Sequence, residues 1–336
     1  MTDERRVRIA DIAEELGLST ATVSNVIHGK TNKVSDETVR RVQALLEERQ
    51  YIPNMAGILL AQNSSGIIGV AVNRHEKYEG RPLEDPFIAS SLNYLSQEIE
   101  RAHKFLMVKT TTEISEIIAF ASMWNMEGLI LIGFCQQDFV WLRQHMRIPF
   151  VAYDADSPAT ERITLLNLDN FDGGFQVGRL FRRLGHQAAL CITDNDTFLD
   201  HDRYEGFRAG FGGGADLMLI PMRKEDRMAF YRANLEVFRR VTAVFAVSDY
   251  YALDLMGFLA AQGIRTPEDM SVAGFDGAPA GTQSFPTLTT VRQDGALRAR
   301  TALEQLAQLR TGHPGTTITL PVTLIEREST GERPER

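Results

Sequence analysis

Two cysteines in 336 residues, Cys135 and Cys191, are too few for a disulfide framework and match no metal-ligand spacing. Both lie in apolar surroundings, so buried, reduced thiols are expected. No apolar run reaches the roughly 18 residues of a membrane span. The opening MTDERRVRIAD has no apolar core of a secretory signal. A cytoplasmic protein without a membrane partner is expected. A basic excess is also missing. Net charge is −8, and residues 1–63 carry eight Lys and Arg against nine Asp and Glu. The footprint of a strongly basic nucleic-acid domain is therefore absent. Catalytic and metal signatures are lacking as well. The seven histidines show no His-x-x-x-His pair. Asp194-Asn195-Asp196 starts like a calcium loop but lacks the downstream glycine and glutamate. Gly210-Phe-Gly-Gly-Gly214 follows a helical pattern and lacks the glycine spacing of a nucleotide loop. No Gly-x-Ser-x-Gly occurs. Neither an enzyme nor a cofactor is expected.

What is present begins at Val7–His28. Ile9, Ile12, Ala13 and Leu16 give a short helix one apolar stripe. Gly17 supplies the positive φ that a tight turn needs. Ser19 suits the N-cap of a second helix, which buries Val23, Val26 and Ile27. Its other face carries Thr20, Ala21, Thr22, Asn25 and His28, all small or polar, as a helix lying in a DNA groove requires. A surface helical hairpin is the structural alternative. Ser35 then caps a third helix striped by Val39, Val42, Leu45 and Leu46. Local positive charge comes from Lys30, Lys33, Arg40 and Arg41. Beyond Tyr51 lies a weak helix at 53–61 containing Gly57, too short to be stable alone.

After Asn63-Ser64-Ser65 the pattern changes. Gly66–Asn73 reads as a buried strand, and strand and helix patterns alternate to about residue 310. Such alternation predicts parallel sheets with helices on both faces, with more strands than one ordinary sheet holds. Asp276 and Asp154 each follow a strand, at the carboxyl end where small molecules bind in open α/β sheets. Asp169-Asn170 and Asp249 precede helices, so capping is their first explanation. The charged stretch 74–85 reads as a solvated excursion, with a lid as the alternative. The end, 329–336, reads as a polar tail without heptads.

These stretches resemble the LacI (lactose-repressor-like) family of transcriptional regulators. The matching residues are IADIAEELGLSTATVSNVIHGK, VSDETVRRV, YIPNMAGILLA, RYEGFRAG, TPEDMSVAGFD and PTLTTVRQ, spread from about Val7 to Glu328. The resemblance implies a small all-α helix-turn-helix head at 1–63 with a hinge helix at 53–61. It implies an α/β core at 64–328 of two doubly wound parallel-sheet subdomains, like periplasmic binding proteins. Subdomain 1 is placed at about 66–165 and 292–318, subdomain 2 at about 166–291 and 319–328. It further implies a homodimeric repressor of a metabolic operon that binds double-stranded operator DNA under control of a small-molecule effector, preferably a sugar or sugar derivative, with a nucleobase second because a carboxylate and an arginine serve either. Ser19, Thr20, Ala21, Thr22, Asn25, Asn54 and Leu60 are the implied DNA-binding residues, with Leu60 wedged into the minor groove. Asp276, Arg203, Asp154 and Ser248 are the implied effector-binding residues. Two positions depart from the family: Asn25 often stands as arginine, and Ser248 commonly as asparagine. The alternative functions are a soluble sugar-binding protein without regulatory DNA binding and an enzyme on a doubly wound fold.

Overall fold

The computed structural model describes residues 7–52, 65–155 and 162–335. The hinge segment 53–61, with Asn54 and Leu60, lies outside the described residues. The chain divides after Ser64 into two compact units.

In the first unit, helix α1 (Ile9–Leu16) ends at Gly17, whose φ of 65° turns the chain. Helix α2 (Thr20–Ile27) is capped by Ser19, whose hydroxyl accepts from the Thr22 amide at 3.1 Å. Helix α3 (Asp36–Glu48) is capped in the same way by Ser35. The stripes meet in one small core of Ile12, Ala13, Val23, Val26, Val42 and Leu45. Each such large side chain contributes about 1.5–3 kcal/mol when fully buried.

In the second unit, the first sheet runs β11-β5-β4-β3-β1-β2, all neighbours parallel. Its strands are β1 (Ile67–Asn73), β2 (Phe105–Thr111), β3 (Gly128–Ile132), β4 (Phe150–Tyr153), β5 (Ile163–Leu168) and β11 (Thr317–Leu320). Alternate residues go to opposite faces. Ile68, Val70, Ile130 and Ile132 pack with Ile88 and Leu95 of α4 (Pro86–Arg101) and Ala302 of α11 (Gly295–Arg310). Ala71, Leu129 and Leu131 pack with Ile117 of α5 (Ile114–Met123) and Leu142 of α6 (Gln136–His145). Burial on both faces is why these strands read as continuous apolar runs.

The second sheet runs β12-β10-β9-β8-β6-β7. It comprises β6 (Ala189–Thr193), β7 (Ala215–Leu219), β8 (Ala243–Ala246), β9 (Ser271–Asp276), β10 (Thr289–Gln293) and β12 (Val322–Ile325). Here the β10–β12 pair is antiparallel, an exception to the expected parallel pattern. Its helices are α7 (Asn170–Arg183), α8 (Phe198–Phe211), α9 (Lys224–Ala233) and α10 (Asp249–Ala261). Single helical turns stand at Leu235–Phe238 and Ala280–Gln283.

Helices α7 and α8 meet backbone to backbone. A Cβ on Gly206 would lie 1.9 Å from the Phe171 carbonyl oxygen, and one on Gly174 would lie 2.0 Å from that of Arg203. Gly178 and Gly210 are equally tight, at 2.3 and 2.2 Å from carbonyl oxygens. Spacing of i, i+4 puts each glycine pair on one face of its helix, and that face is the seam.

Among the described residues the chain crosses between sheets three times, at Leu168–Asn170, Gln293–Gly295 and Leu320–Val322. Each crossing lies two or three residues later than the boundaries read from sequence. The 329–336 segment departs further from its expected form as a polar tail. Ser329 is fully buried; its hydroxyl accepts from the Thr289 amide at 2.8 Å and donates to the Val272 carbonyl at 2.6 Å. Gly331 bonds Ser271, and the Arg333 amide donates to the Leu184 carbonyl. Polar composition hid this because the segment is stitched on by hydrogen bonds rather than by apolar burial. The stretch 74–85 is likewise no plain excursion. It folds into two 3-10 turns, Glu76–Tyr78 and Pro82–Glu84, and its Glu79 carboxylate accepts from the Lys224 amide of the other subdomain at 2.8 Å.

Candidate functional site

The head presents one side of α2 to solvent. Thr20, Ala21 and Asn25 are exposed, while Val23 and Val26 are buried behind them. Thr22 is half-buried, with its hydroxyl 2.8 Å from that of Ser19, so it helps fix the helix start. Lys30, Lys33, Arg40 and Arg41 are exposed as well. The N-termini of α2 and α3 add amides of the kind that bind phosphate.

The core unit holds a cavity of about 590 Å³ between its two sheets. The carboxyl ends of six strands reach it: Asn73 ending β1, Gly133 after β3, Asp154 after β4, Asp194 after β6, Ser248 after β8 and Asp276 ending β9. This is where parallel strands leave open space between diverging connections.

Arg203 is almost wholly buried. Its Nε donates to Asn170 Oδ1 at 2.9 Å and its Nη1 to the Val247 carbonyl at 2.6 Å. The guanidinium lies 3.7 Å from the centre of the Phe275 ring and 3.9 Å from the Asp200 carboxylate. The glycine seam sets this geometry, since close approach of α8 to α7 brings Arg203 to Asn170. Asp276 carries a φ of 121°, unusual for a residue with a side chain. Its Oδ1 accepts from Gln293 Nε2 at 3.3 Å. Burial pushes the Asp276 carboxyl well above its usual range; Arg203 opposes this and Asp249 adds to it.

Asp154, also at positive φ, pairs with the buried Arg298 at 2.8 Å. Arg298 in turn donates to Gln293 Oε1 at 2.8 Å and to the Leu166 carbonyl. A chain Asp154–Arg298–Gln293–Asp276 thus passes through a crossover. Ser248 caps α10, accepting from the Tyr251 amide at 3.3 Å. Asp249 is buried and fastens the loop after β9, accepting from the Ala278 amide and the Thr290 hydroxyl, both at 2.6 Å. Burial raises its pKa to about 7 against those two bonds.

Further groups line the cavity that the sequence did not assign to ligand binding. Asn195 donates from one amide nitrogen to both Asp194 (2.7 Å) and Asp200 (2.8 Å), and the Tyr251 hydroxyl donates to Asp194 at 2.7 Å. Burial raises Asp200 to about 6, opposed by Arg203 and reinforced by Asp194. Lys77, Tyr78 and Asp85 enter from the 74–85 segment. Burial works against the charge of Lys77, yet Tyr78, Asp194 and Asp85 hold its pKa above the ordinary value. Cys135 is exposed and lines the cavity, contrary to the buried thiol expected; Cys191 is buried. Among the described residues no group of three His, Cys, Asp or Glu side chains is arranged to hold a metal ion. Among the same residues no helix is long and apolar enough to cross a membrane.

Residues 8–54 match the model of bacterial regulatory proteins of the lacI family, and residues 179–330 match that of the periplasmic binding protein-like domain. The HTH-type transcriptional repressor PurR of Erwinia tasmaniensis is 28% identical over 98% of both chains. A lac repressor dimer structure, bound to operator and the anti-inducer ONPF, superposes with a TM-score of 0.83 at 23% identity. That match covers 97% of this chain and all of the other. A complex of the transcriptional regulator CelR with cellobiose gives 0.68 at 23% identity, covering 96% of this chain and all of the other.

The chain joins a lacI-family head to a periplasmic binding protein-like core. It is a DNA-binding transcriptional regulator, and its head sets aside the reading as a binding protein without regulatory DNA binding. The PurR relative is named as a transcriptional repressor, not as an enzyme. In this regulator the structure brings Asp276, Arg203, Asp154 and Ser248 to one cavity. It places Ser19, Thr20, Ala21, Thr22 and Asn25 at the start and exposed side of α2. Lys77, Tyr78 and Asp85 escape sequence reasoning because loops carry no periodicity. Asp194 and Asp200 escape it because in sequence they read only as a broken metal motif and a helix surface.

Proposed function

We propose that this regulator is a cytoplasmic homodimeric repressor of a metabolic operon, and that a sugar or sugar derivative in the cleft sets its affinity for double-stranded operator DNA. One observation carries the reading. A single chain joins an exposed, small and polar recognition-type helix to a 590 Å³ cavity that mixes aromatic rings with hydrogen-bond acceptors. Carboxylates and amides accept from sugar hydroxyls, and rings cover the C–H faces of the sugar. Closure of two subdomains about three crossovers is a hinge motion, and a ligand drives it by binding the closed and open forms unequally. Phe285 and Met123, exposed at 98% and 76%, supply apolar surface for a second copy. Asn54 and Leu60 complete the DNA interface in this reading, Leu60 as a minor-groove wedge.

The test is a gel shift against DNA from the gene's own neighbourhood, with and without ligands found by calorimetry. Asp276→Asn keeps shape and removes the charged acceptor. It is expected to shift operator DNA as the wild type does and to lose most of the ligand response. An unaltered response reduces Asp276 to a turn residue. On the DNA side, asparagine bonds adenine through N6 and N7 where arginine would take guanine. Asn25→Ala is expected to weaken binding by roughly 1–3 kcal/mol for each bidentate hydrogen-bonded pair it removes and to relax preference at one base pair per half-site. Binding selection with the same preference in both proteins removes Asn25 from base readout.

A further inference from the structure

The cavity is acidic to a degree that a neutral sugar does not require. Among the described residues seven aspartates line it, against two strong cations, Arg203 and Lys77. All seven accept hydrogen bonds within the fold, but only Asp154 is held by a close ion pair, to Arg298, while Asp249 is tied down by the Ala278 amide and Thr290 hydroxyl. Arg203 has two of its nitrogens committed to Asn170 and the Val247 carbonyl. Among the described residues, Asp85, Asp194 and Asp276 have no ion-pair partner, and the approach of Asp200 to Arg203 is long at 3.9 Å. An anion entering this space, such as a phosphorylated sugar or an organic acid, meets carboxyl groups without close ion-pair partners and little free cation, whereas an amine draws the raised carboxyls of Asp85, Asp200 and Asp276 into their charged form.

The cation that answers these carboxylates is a tethered one. Lys77 rides on the 74–85 segment, its ammonium 5.1 Å from the centre of the Tyr78 ring. The opposite charges acting on it come from both sides of the cleft: Asp85 on its own subdomain, Asp194 and Asp200 on the other. Burial alone would favour discharging it, and these neighbours overcome that. An ammonium group is thus held in the cavity, beside an aromatic face and among carboxyl groups, by a loop rather than by a strand or helix. Aromatic and carboxylate neighbours are the environment that stabilises a desolvated cation.

We propose that the cleft contains an ammonium subsite formed by Asp85, Asp194, Asp200 and Asp276 beside Tyr78, that Lys77 serves it in the free protein, and that the effector is a hydroxyl-bearing organic amine such as an amino sugar. This rests on the cleft being the effector site. An incoming amine takes over the charge-balancing role of Lys77, and hydroxyls of the ligand reach the remaining acceptors.

Two arms test it. In the first, calorimetry at matched ionic strength compares wild type with glucose, galactose and mannose, their 2-amino-2-deoxy counterparts and their 6-phosphates. At least one amino sugar is expected to bind tenfold or more tightly than its neutral parent, with the phosphates weakest. In the second, Lys77→Ala is heated with n-butylammonium chloride, n-butanol or sodium chloride at equal concentration. Butylammonium is expected to raise the melting temperature of this variant above that in either control, and to do so less in the wild type. A wild type that prefers neutral or phosphorylated sugars overturns the proposal. So does a Lys77→Ala chain that responds to butylammonium no more than to butanol or salt. The operator gel shift on the same preparations keeps the two readings apart. A shift without an amine response defeats the subsite alone, and an amine response without a shift defeats the DNA-binding reading alone.

Discussion

Gly206→Ala is expected to be among the most damaging single-methyl changes in the core unit. The added carbon would sit 1.9 Å from the Phe171 carbonyl oxygen, which is backbone inside α7 and has no rotamer through which to yield. Overpacking usually costs roughly 1–3 kcal/mol. Here α7 and α8 must separate along the whole seam, so the loss is expected at or above the top of that range. Separation also carries Arg203 away from Asn170, so ligand binding falls with stability. Gly257→Ala is the control, because a Cβ at that helical position meets nothing within 4 Å. It is expected to stabilise by about 0.5–1 kcal/mol through helix propensity. Urea unfolding of both variants checks the argument. A Gly206→Ala midpoint close to wild type refutes the seam.

Asp154→Ala is expected to cost about 3–5 kcal/mol, the usual penalty for leaving one member of a buried ion pair uncompensated. Arg298 is 2% exposed in its side chain and would keep its hydrogen bonds to Gln293 and the Leu166 carbonyl and its place over the Tyr153 ring, but no counter-charge. Adding Arg298→Met should recover much of the loss, since an apolar replacement of both partners removes the stranded charge. The measurement is denaturation of ligand-free protein. A single variant as stable as the wild type would free Asp154 from its structural role and leave it to the ligand.

The head is legible almost residue by residue, because apolar spacing, a glycine turn and serine caps are all local signals. The strands of the core are legible as apolar runs, and Arg203 and Asp276 through family resemblance. Helix α6 is not: QQDFVWLRQH has only a weak apolar stripe, and burial of Phe139 and Leu142 decides it. The 74–85 turns and the Ser329–Arg333 stitches depend on partners far away in the chain, and no local pattern encodes those. Cys135 has apolar neighbours in sequence, yet it stands at a strand end that opens into the cavity.

The three crossovers also impose a timetable on synthesis. Strand β5, at Ile163–Leu168, is the next-to-edge strand of its sheet only once β11 at Thr317–Leu320 has arrived. About 150 residues separate them, which at about 5–20 residues per second takes roughly 8–30 s. Throughout that interval the nascent chain carries Ile-Thr-Leu-Leu-Asn-Leu as an open sheet edge, a template for pairing with another chain. The head needs nothing made later for its own core, so it can fold while that edge is still bare. Yield in the cell should therefore depend on chaperone supply more than the stability of the finished regulator would suggest, and slowing translation after residue 170 should lower it further.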